Sequence, residues 1–209
     1  MKTSITFLKS KYDRPLTIKK IMETDTDYIH VDIMDGIFVD RTVLSIDETL
    51  ELFKDSTKPL DIHLMCAHPR KYIEALSHLN VAYFTIHAEI EDDLSELISL
   101  IHNLGIGAGI AIKIETTIQD VEKYLDSIEN VLIMGVTPGY GGQKLALSTV
   151  DKIGELISYR DKYNYHYKIS LDGGVNADTR SLLDNLDIIV AGSYICESDD
   201  YQKTINTLR

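Results

Sequence analysis

The stretch His30-Val-Asp-Ile-Met-Asp-Gly36 decides how this chain is read. In an extended strand alternate side chains share a face, so His30, Asp32 and Met34 point the same way. A histidine and a carboxylate on one side of an otherwise apolar strand need a partner, because burying them unpaired is costly. A second run, Asp61-Ile-His63-Leu-Met65, repeats the pattern with His63 and Met65 on one face. A third, Lys168-Ile-Ser-Leu-Asp172-Gly-Gly174, ends on a carboxylate followed by two glycines. Taken singly, each histidine reads as a satisfied core residue and each aspartate as a turn cap. As a set on three strands, His30, Asp32, His63 and Asp172 offer two nitrogen and two oxygen ligands to one divalent ion: zinc, iron, manganese or cobalt.

Outward from these runs, short apolar strands alternate with longer amphipathic stretches. The strands are expected at Ser4–Phe7, Tyr28–Ile33, Leu60–Met65, Tyr83–His87, Gly107–Ile112, Val131–Val136, Lys168–Leu171 and Ile188–Ala191. Helices are expected over Pro69–Leu79, Asp92–Leu104, Thr117–Ser127 and Leu145–Tyr163, among others. Pro69 suits a first turn, Asp92 and Asp93 favour a helix N-terminus, and Gly105 stands where a C-terminal cap belongs. Eight strand–helix units without a linker predict one α/β domain over residues 1–209 with an all-parallel sheet. A closed (β/α)8 barrel fits the count, and an open doubly wound sheet is the alternative. The barrel is favoured because the polar groups end strands spread along the chain. Only closure brings the second, third and seventh strands to one axial site.

The chain has 209 residues and 44% apolar residues, enough for one well-buried core. Its formal net charge of -12 argues against nucleic acid or an anionic membrane as the main partner. Cys66 and Cys196 read as reduced thiols. No apolar run approaches the ~20 residues that span a bilayer, and the N-terminus shows no secretory core, so the expectation is a cytoplasmic protein.

Glycine-rich segments follow three consecutive strands: Val136-Thr-Pro-Gly-Tyr-Gly-Gly-Gln143, Gly173-Gly174 and Gly192-Ser193. Glycine lets backbone N–H groups close on an anion, and barrels of this type often bind phosphate after their last strands. A phosphorylated substrate is therefore expected. Met34, Met65 and Met134 fall near the inward ends of their strands, either as core filling or as a polarizable lining beside reacting carbons. Ser4 is read as a ligand contact or a surface hydroxyl. Asp35 is read as a cap on the turn at Gly36, Asp61 as the start of its strand, and His87 as packing.

The segments His30-Val-Asp-Ile-Met-Asp-Gly36, His63-Leu-Met65, Pro138-Gly-Tyr-Gly-Gly-Gln143, Leu171-Asp-Gly-Gly174 and Ala191-Gly-Ser193 resemble, in order and approximate spacing, the ribulose-phosphate 3-epimerase family. The resemblance spans nearly the whole chain. It implies a phosphate-binding TIM barrel that holds one divalent ion on His30, Asp32, His63 and Asp172 and needs no organic cofactor. It implies that Asp32 and Asp172 are the acid and base, and that Ser4 and His63 contact the substrate. It further implies that Gly139, Tyr140, Gly141, Gly142, Gly173, Gly174, Gly192 and Ser193 hold the phosphate end, and that the enzyme forms homo-oligomers. The chemistry suits these residue types. Inverting the carbon beside a ketone removes a proton from one face and returns one to the other, which two opposed carboxylates can divide. A metal ion stabilises the enediolate between the two transfers.

Two segments depart from the family pattern. Ile37-Phe-Val-Asp-Arg41 stands where members commonly read His-Phe-Val-Pro-Asn, and Lys113-Ile-Glu-Thr116 replaces a Pro-Gly-Thr segment. Both follow strand C-terminal ends, where barrel enzymes select substrates. The expected substrate is D-ribulose 5-phosphate, with a hexulose 6-phosphate such as allulose 6-phosphate as the alternative. Leu44-Ser45 and Lys58-Pro-Leu-Asp61 lean towards the hexulose branch, and Arg41 reads as an exposed, solvated side chain. A sugar-phosphate decarboxylase or synthase would need an Asp-x-Lys-x-x-Asp array on the third strand, which has no lysine here. A catalytically silent, sugar-phosphate-binding barrel is the non-enzymatic reading.

Overall fold

All the apolar runs lie in one sheet, described over residues 1–209 by a computed structural model. The strands are β1 (Lys2–Thr6), β2 (Tyr28–Asp35), β3 (Thr42–Val43), β4 (Leu60–Met65), β5 (Val81–His87), β6 (Gly107–Ile112), β7 (Asn130–Met134), β8 (Lys168–Asp172) and β9 (Ile188–Ala191). Leaving β3 aside, neighbours are parallel in the order β1-β9-β8-β7-β6-β5-β4-β2. The pairing of β1 with β2, Ser4 opposite Tyr28 and Thr6 opposite His30, closes the ring. An open doubly wound sheet is excluded by that pairing, and the barrel has no free parallel edge. The small β3 was not expected. The chain turns back at Gly36, which has a φ of +76°, and Val43 pairs antiparallel with Met34.

Helices fill the connections: α1 (Arg14–Met22), α2 (Ile46–Phe53), α3 (Arg70–Leu76), α4 (Leu94–Asn103), α5 (Ile118–Val121), α6 (Ser148–Tyr163), α7 (Ser193–Cys196) and α8 (Tyr201–Asn206). Side chains set their starts. Asp93 accepts from the N–H groups of Ser95 and Glu96, and Ser45 with Glu48 forms a reciprocal capping box on α2. Gly105 ends α4 with a φ of +75°. The helix expected over Thr117–Ser127 divides into α5 and a 3-10 turn, Glu122–Ser127. α6 begins three residues late because Ala146 donates its N–H to the carbonyl of Gly135 and closes the preceding loop.

The main core lies between the outer faces of the strands and the helices, where Phe53, Phe84 and Tyr167 are fully buried. The barrel interior is filled in layers. At its N-terminal end Tyr28 packs edge-on against Tyr83, with Lys2 and Lys168 donating to their hydroxyls. Above them Ser170 donates to Asn130. The inward face of β6 is reduced to Gly107, Gly109 and Ala111. A Cβ at Gly109 would stand 2.5 Å from Thr85 Oγ1, so glycine there makes room for the neighbouring strand's side chain. The uppermost layer carries the ionisable groups. Cys66 and Cys196 are free and buried, as expected. No helix is long and apolar enough to cross a membrane.

Candidate active site and metal centre

Strand alternation brings His30 and Asp32 of β2, His63 of β4 and Asp172 of β8 to one point on the barrel axis. Their ligand atoms all lie within 4.8 Å of one another. His30 Nε2 is 3.4 Å from Asp32 Oδ1 and 3.9 Å from Asp172 Oδ2. His63 Nδ1 is 3.3 and 3.9 Å from the same two oxygens. These four residues can hold a divalent ion, and two observations support the fit. His30 Nε2 is buried without any hydrogen-bond partner, although its Nδ1 is held by Asp61 at 2.8 Å. A carboxylate behind a histidine, with the other ring nitrogen aimed inward, is how metal-ligating histidines are oriented. Three buried or half-buried carboxylates also converge here and call for positive charge at their centre.

The surroundings drive the two catalytic candidates apart. Burial pushes the Asp172 carboxyl up to about 6, with the nearby Asp32 adding to the effect. Burial acts on Asp32 as well, but the neighbouring His30 and His63 imidazoles overcome it and hold that carboxyl well below its usual range. His30 shows the converse: burial opposes its charge, yet Asp61 and Asp32 raise it well above the ordinary imidazole value.

Above the four residues opens a cavity of about 290 Å³. Asp32 and Asp172 form its floor, and Met34, Met65 and Met134 line its wall together. Its other side is made by Gly139–Gly142, Gly173-Gly174 and Gly192-Ser193, so all three glycine segments meet in one place. Gly174 has a φ of +75°, and a Cβ there would lie 2.5 Å from the backbone N and Cα of Leu145. Gly174→Ala is expected to cost about 1–3 kcal/mol through backbone strain and clash. Chemical denaturation checks this, and an unchanged midpoint would mean that the loop relaxes freely.

Ser4 is corrected by the structure. It is neither a surface hydroxyl nor part of the cavity wall; it is fully buried and donates to Asp61 Oδ2 at 2.9 Å. The reason is the layering: Ser4 lies one inward step below the mouth, and Thr6, two residues on, takes the wall position on β1. Thr6 Oγ1 donates to Asp32 Oδ2 at 2.5 Å, a contact that period-two reasoning from Ser4 would have found. His63 also lies behind the wall, fully buried. Asp61 does more than begin its strand, since it bridges Ser4 and His30. Asp35 accepts from Ile37, Phe38 and Ala67 N–H groups and caps its turn as read.

His87 was read as packing, yet its Nε2 meets His63 Nε2 at 2.9 Å and its Nδ1 meets Glu89 Oε2 at 2.9 Å. Burial lowers the His87 imidazole to about 4, so it is neutral at pH 7. Arg41 is not a free surface side chain. It donates to the Gly139 carbonyl at 3.0 Å and lies over the Tyr140 ring, tying the loop after β2 to the glycine loop. Glu115 is exposed, and with Asp40, Lys113 and Tyr140 it borders a second cavity at the rim. Leu44-Ser45 lead into α2, and Lys58 bonds the Thr26 carbonyl below the start of β2. Neither segment lines the main cavity, although Asp61 at the end of the second stands behind His30.

The family model described as the ribulose-phosphate 3-epimerase family matches residues 4–196. The chain belongs to the ribulose-phosphate 3-epimerase family. Ribulose-phosphate 3-epimerase of Bacillus subtilis (strain 168) is 36% identical over 197 residues, covering 92% of this chain and 90% of that protein. The enzyme of Helicobacter pylori (strain J99) is 35% identical, covering 89% and 87%. As a member of this epimerase family the chain is an isomerase. Solved structures agree on the fold alone. KGPDC from Streptococcus mutans superposes with a TM-score of 0.72 at 15% identity, covering 99% of this chain and 94% of that one. Tryptophan synthase of Mycobacterium tuberculosis gives 0.71 at 13% identity, covering 99% and 91%. Both are TIM-barrel enzymes, as is this chain.

Proposed function

We propose that this epimerase interconverts D-ribulose 5-phosphate and D-xylulose 5-phosphate by proton transfer between Asp32 and Asp172. The observation that carries the reading is the pair of carboxylates on the cavity floor, presented from β2 and β8 into a cavity that three glycine segments also line. The ketose lies with its phosphate against Gly139–Gly142, Gly173-Gly174 and Gly192-Ser193, where backbone N–H groups meet the anion. That remote grip orients carbon three over the floor. One carboxylate takes the proton from one face, and the other, protonated, returns one to the opposite face. His30, Asp32, His63 and Asp172 would hold a divalent ion, which when bound would supply Lewis-acid stabilisation of the enediolate charge. Met34, Met65 and Met134 exclude water beside the reacting carbons without offering a competing base. Thr6 holds one oxygen of Asp32 and limits its rotation.

The altered rim supports a second reading, a hexulose 6-phosphate such as allulose 6-phosphate. Asp40 and Glu115 border a second opening between the two departing loops, next to the main cavity through Thr137, Pro138 and Tyr140. Side-by-side turnover on ribulose 5-phosphate and allulose 6-phosphate, with zinc, manganese or ferrous ion, tests both. Preference for the pentulose is the expected result; preference for the hexulose assigns the loops a new substrate. Silence on both puts the non-catalytic barrel first. Arg41→Ala and Glu115→Ala are expected to shift the ratio of kcat/KM values between the two sugars by roughly tenfold, the scale of one lost contact. An unmoved ratio would mean that these positions do not select the substrate.

A further inference from the structure

We infer that Glu89 and His87 set the tautomer of His63, and so present its Nδ1 lone pair to the metal centre. The inference rests on the metal reading above and assigns roles to two residues outside the ligand set. The bonding pattern is read from its outer end. Glu89 Oε1 accepts from the backbone N–H of Lys113 at 2.8 Å and from the Thr116 hydroxyl. Its other oxygen, Oε2, faces His87 Nδ1 at 2.9 Å. An ionised carboxylate only accepts, so His87 carries its proton on Nδ1.

With that proton directed at Glu89, His87 turns its Nε2 to His63 Nε2, 2.9 Å away. Two bare nitrogens at that distance would repel, so one proton lies between them, and a His63 that binds metal through Nδ1 carries that proton on Nε2 and donates it to His87. The remaining lone pair of His63 is on Nδ1, the atom that faces Asp32 and Asp172. The opposite tautomer would point an N–H into the ligand set and remove His63 from it. His30 reaches the same state directly through Asp61, whereas His63 reaches it through one intervening ring.

The chain is also held from outside. The Phe38 ring packs on His87 with centroids 4.5 Å apart. Lys152 of α6 donates to the carbonyls of Lys113 and Ile114, and so fastens the loop that Glu89 grips. His87 and Glu89 are therefore positioning residues, and they connect the altered loop after β6 to the metal centre. Supporting groups of this kind typically carry 10–100-fold in metal affinity.

Cobalt(II) titration followed by its d–d absorption reads the affinity without reference to turnover. His87→Leu is expected to weaken cobalt binding by roughly 10–100-fold, and His87→Gln, whose amide oxygen can accept from His63 Nε2–H, to recover most of it. In zinc-loaded wild type, long-range 1H–15N imidazole spectra should show His87 protonated at Nδ1 and His63 at Nε2. Cobalt bound as tightly by folded His87→Leu as by wild type overturns the inference and leaves the metal reading standing. So does a His87 protonated at Nε2, which decides the matter even if the leucine variant does not fold. Wild type that takes up no cobalt would remove the metal reading and this inference together.

Discussion

Asp32→Asn and Asp172→Asn are each expected to reduce epimerisation by about 10³–10⁴-fold or more, while the barrel stays folded. Either change removes a proton carrier from one face of the substrate. Inversion needs both faces, so one surviving carboxylate cannot complete the cycle. The size of the effect follows from the neighbours of the pair: three methionines, Val190 and Thr6 are not bases at neutral pH, and the cavity's other carboxylate, Glu197, is paired with Lys9 beside the glycine loop. Asparagine keeps the volume and most of the hydrogen bonding, so Thr6 still finds an acceptor at position 32 and packing is preserved. Steady-state turnover, paired with circular dichroism and a metal assay of each variant, checks the result. Turnover within tenfold of wild type in either variant would sink the two-base assignment.

Removing divalent ions with a chelator is expected to abolish turnover, and adding back zinc, manganese, cobalt or ferrous ion to restore it. The physical reason is charge. Asp32, Asp61 and Asp172 converge on two buried imidazoles, and His30 Nε2 has no protein partner. An ion bound only by the folded state adds stability, about 2.7 kcal/mol at a concentration of 100 times Kd. For a chain of this size that corresponds to roughly 5–10 °C in Tm. Calorimetry with and without chelator measures it. Full activity and an unchanged Tm after exhaustive chelation would exclude a metal-dependent reaction at this site.

Much of the site was legible because strands have a period of two. His30, Asp32 and Met34 share a face by arithmetic alone, as do His63 and Met65, and the barrel closure turns those faces inward. The glycine segments were legible because their residue type itself states a backbone requirement. What escaped were the groups whose meaning depends on depth. Ser4 and Thr6 lie on the same face of β1, but only the height of each inside the barrel tells which one reaches the cavity. Asp61 and His87 looked like a strand start and a packing residue. Their partners, His30 and His63, stand 31 and 24 residues away and meet them only across neighbouring strands. Arg41 looked exposed because nothing local holds it; its acceptor, the Gly139 carbonyl, is 98 residues further on.

By itself, then, the sequence determined the strand faces, the alternation that makes a parallel barrel, the four candidate metal ligands and the family, since each is written in local periodicity and residue type. The tertiary structure alone decided which buried groups support the ligands, which hydroxyl holds Asp32, and how the two altered loops shape the rim. Those relations are distances between strands, set by register and barrel closure, and no local pattern encodes a distance between residues that the chain brings together only when it folds.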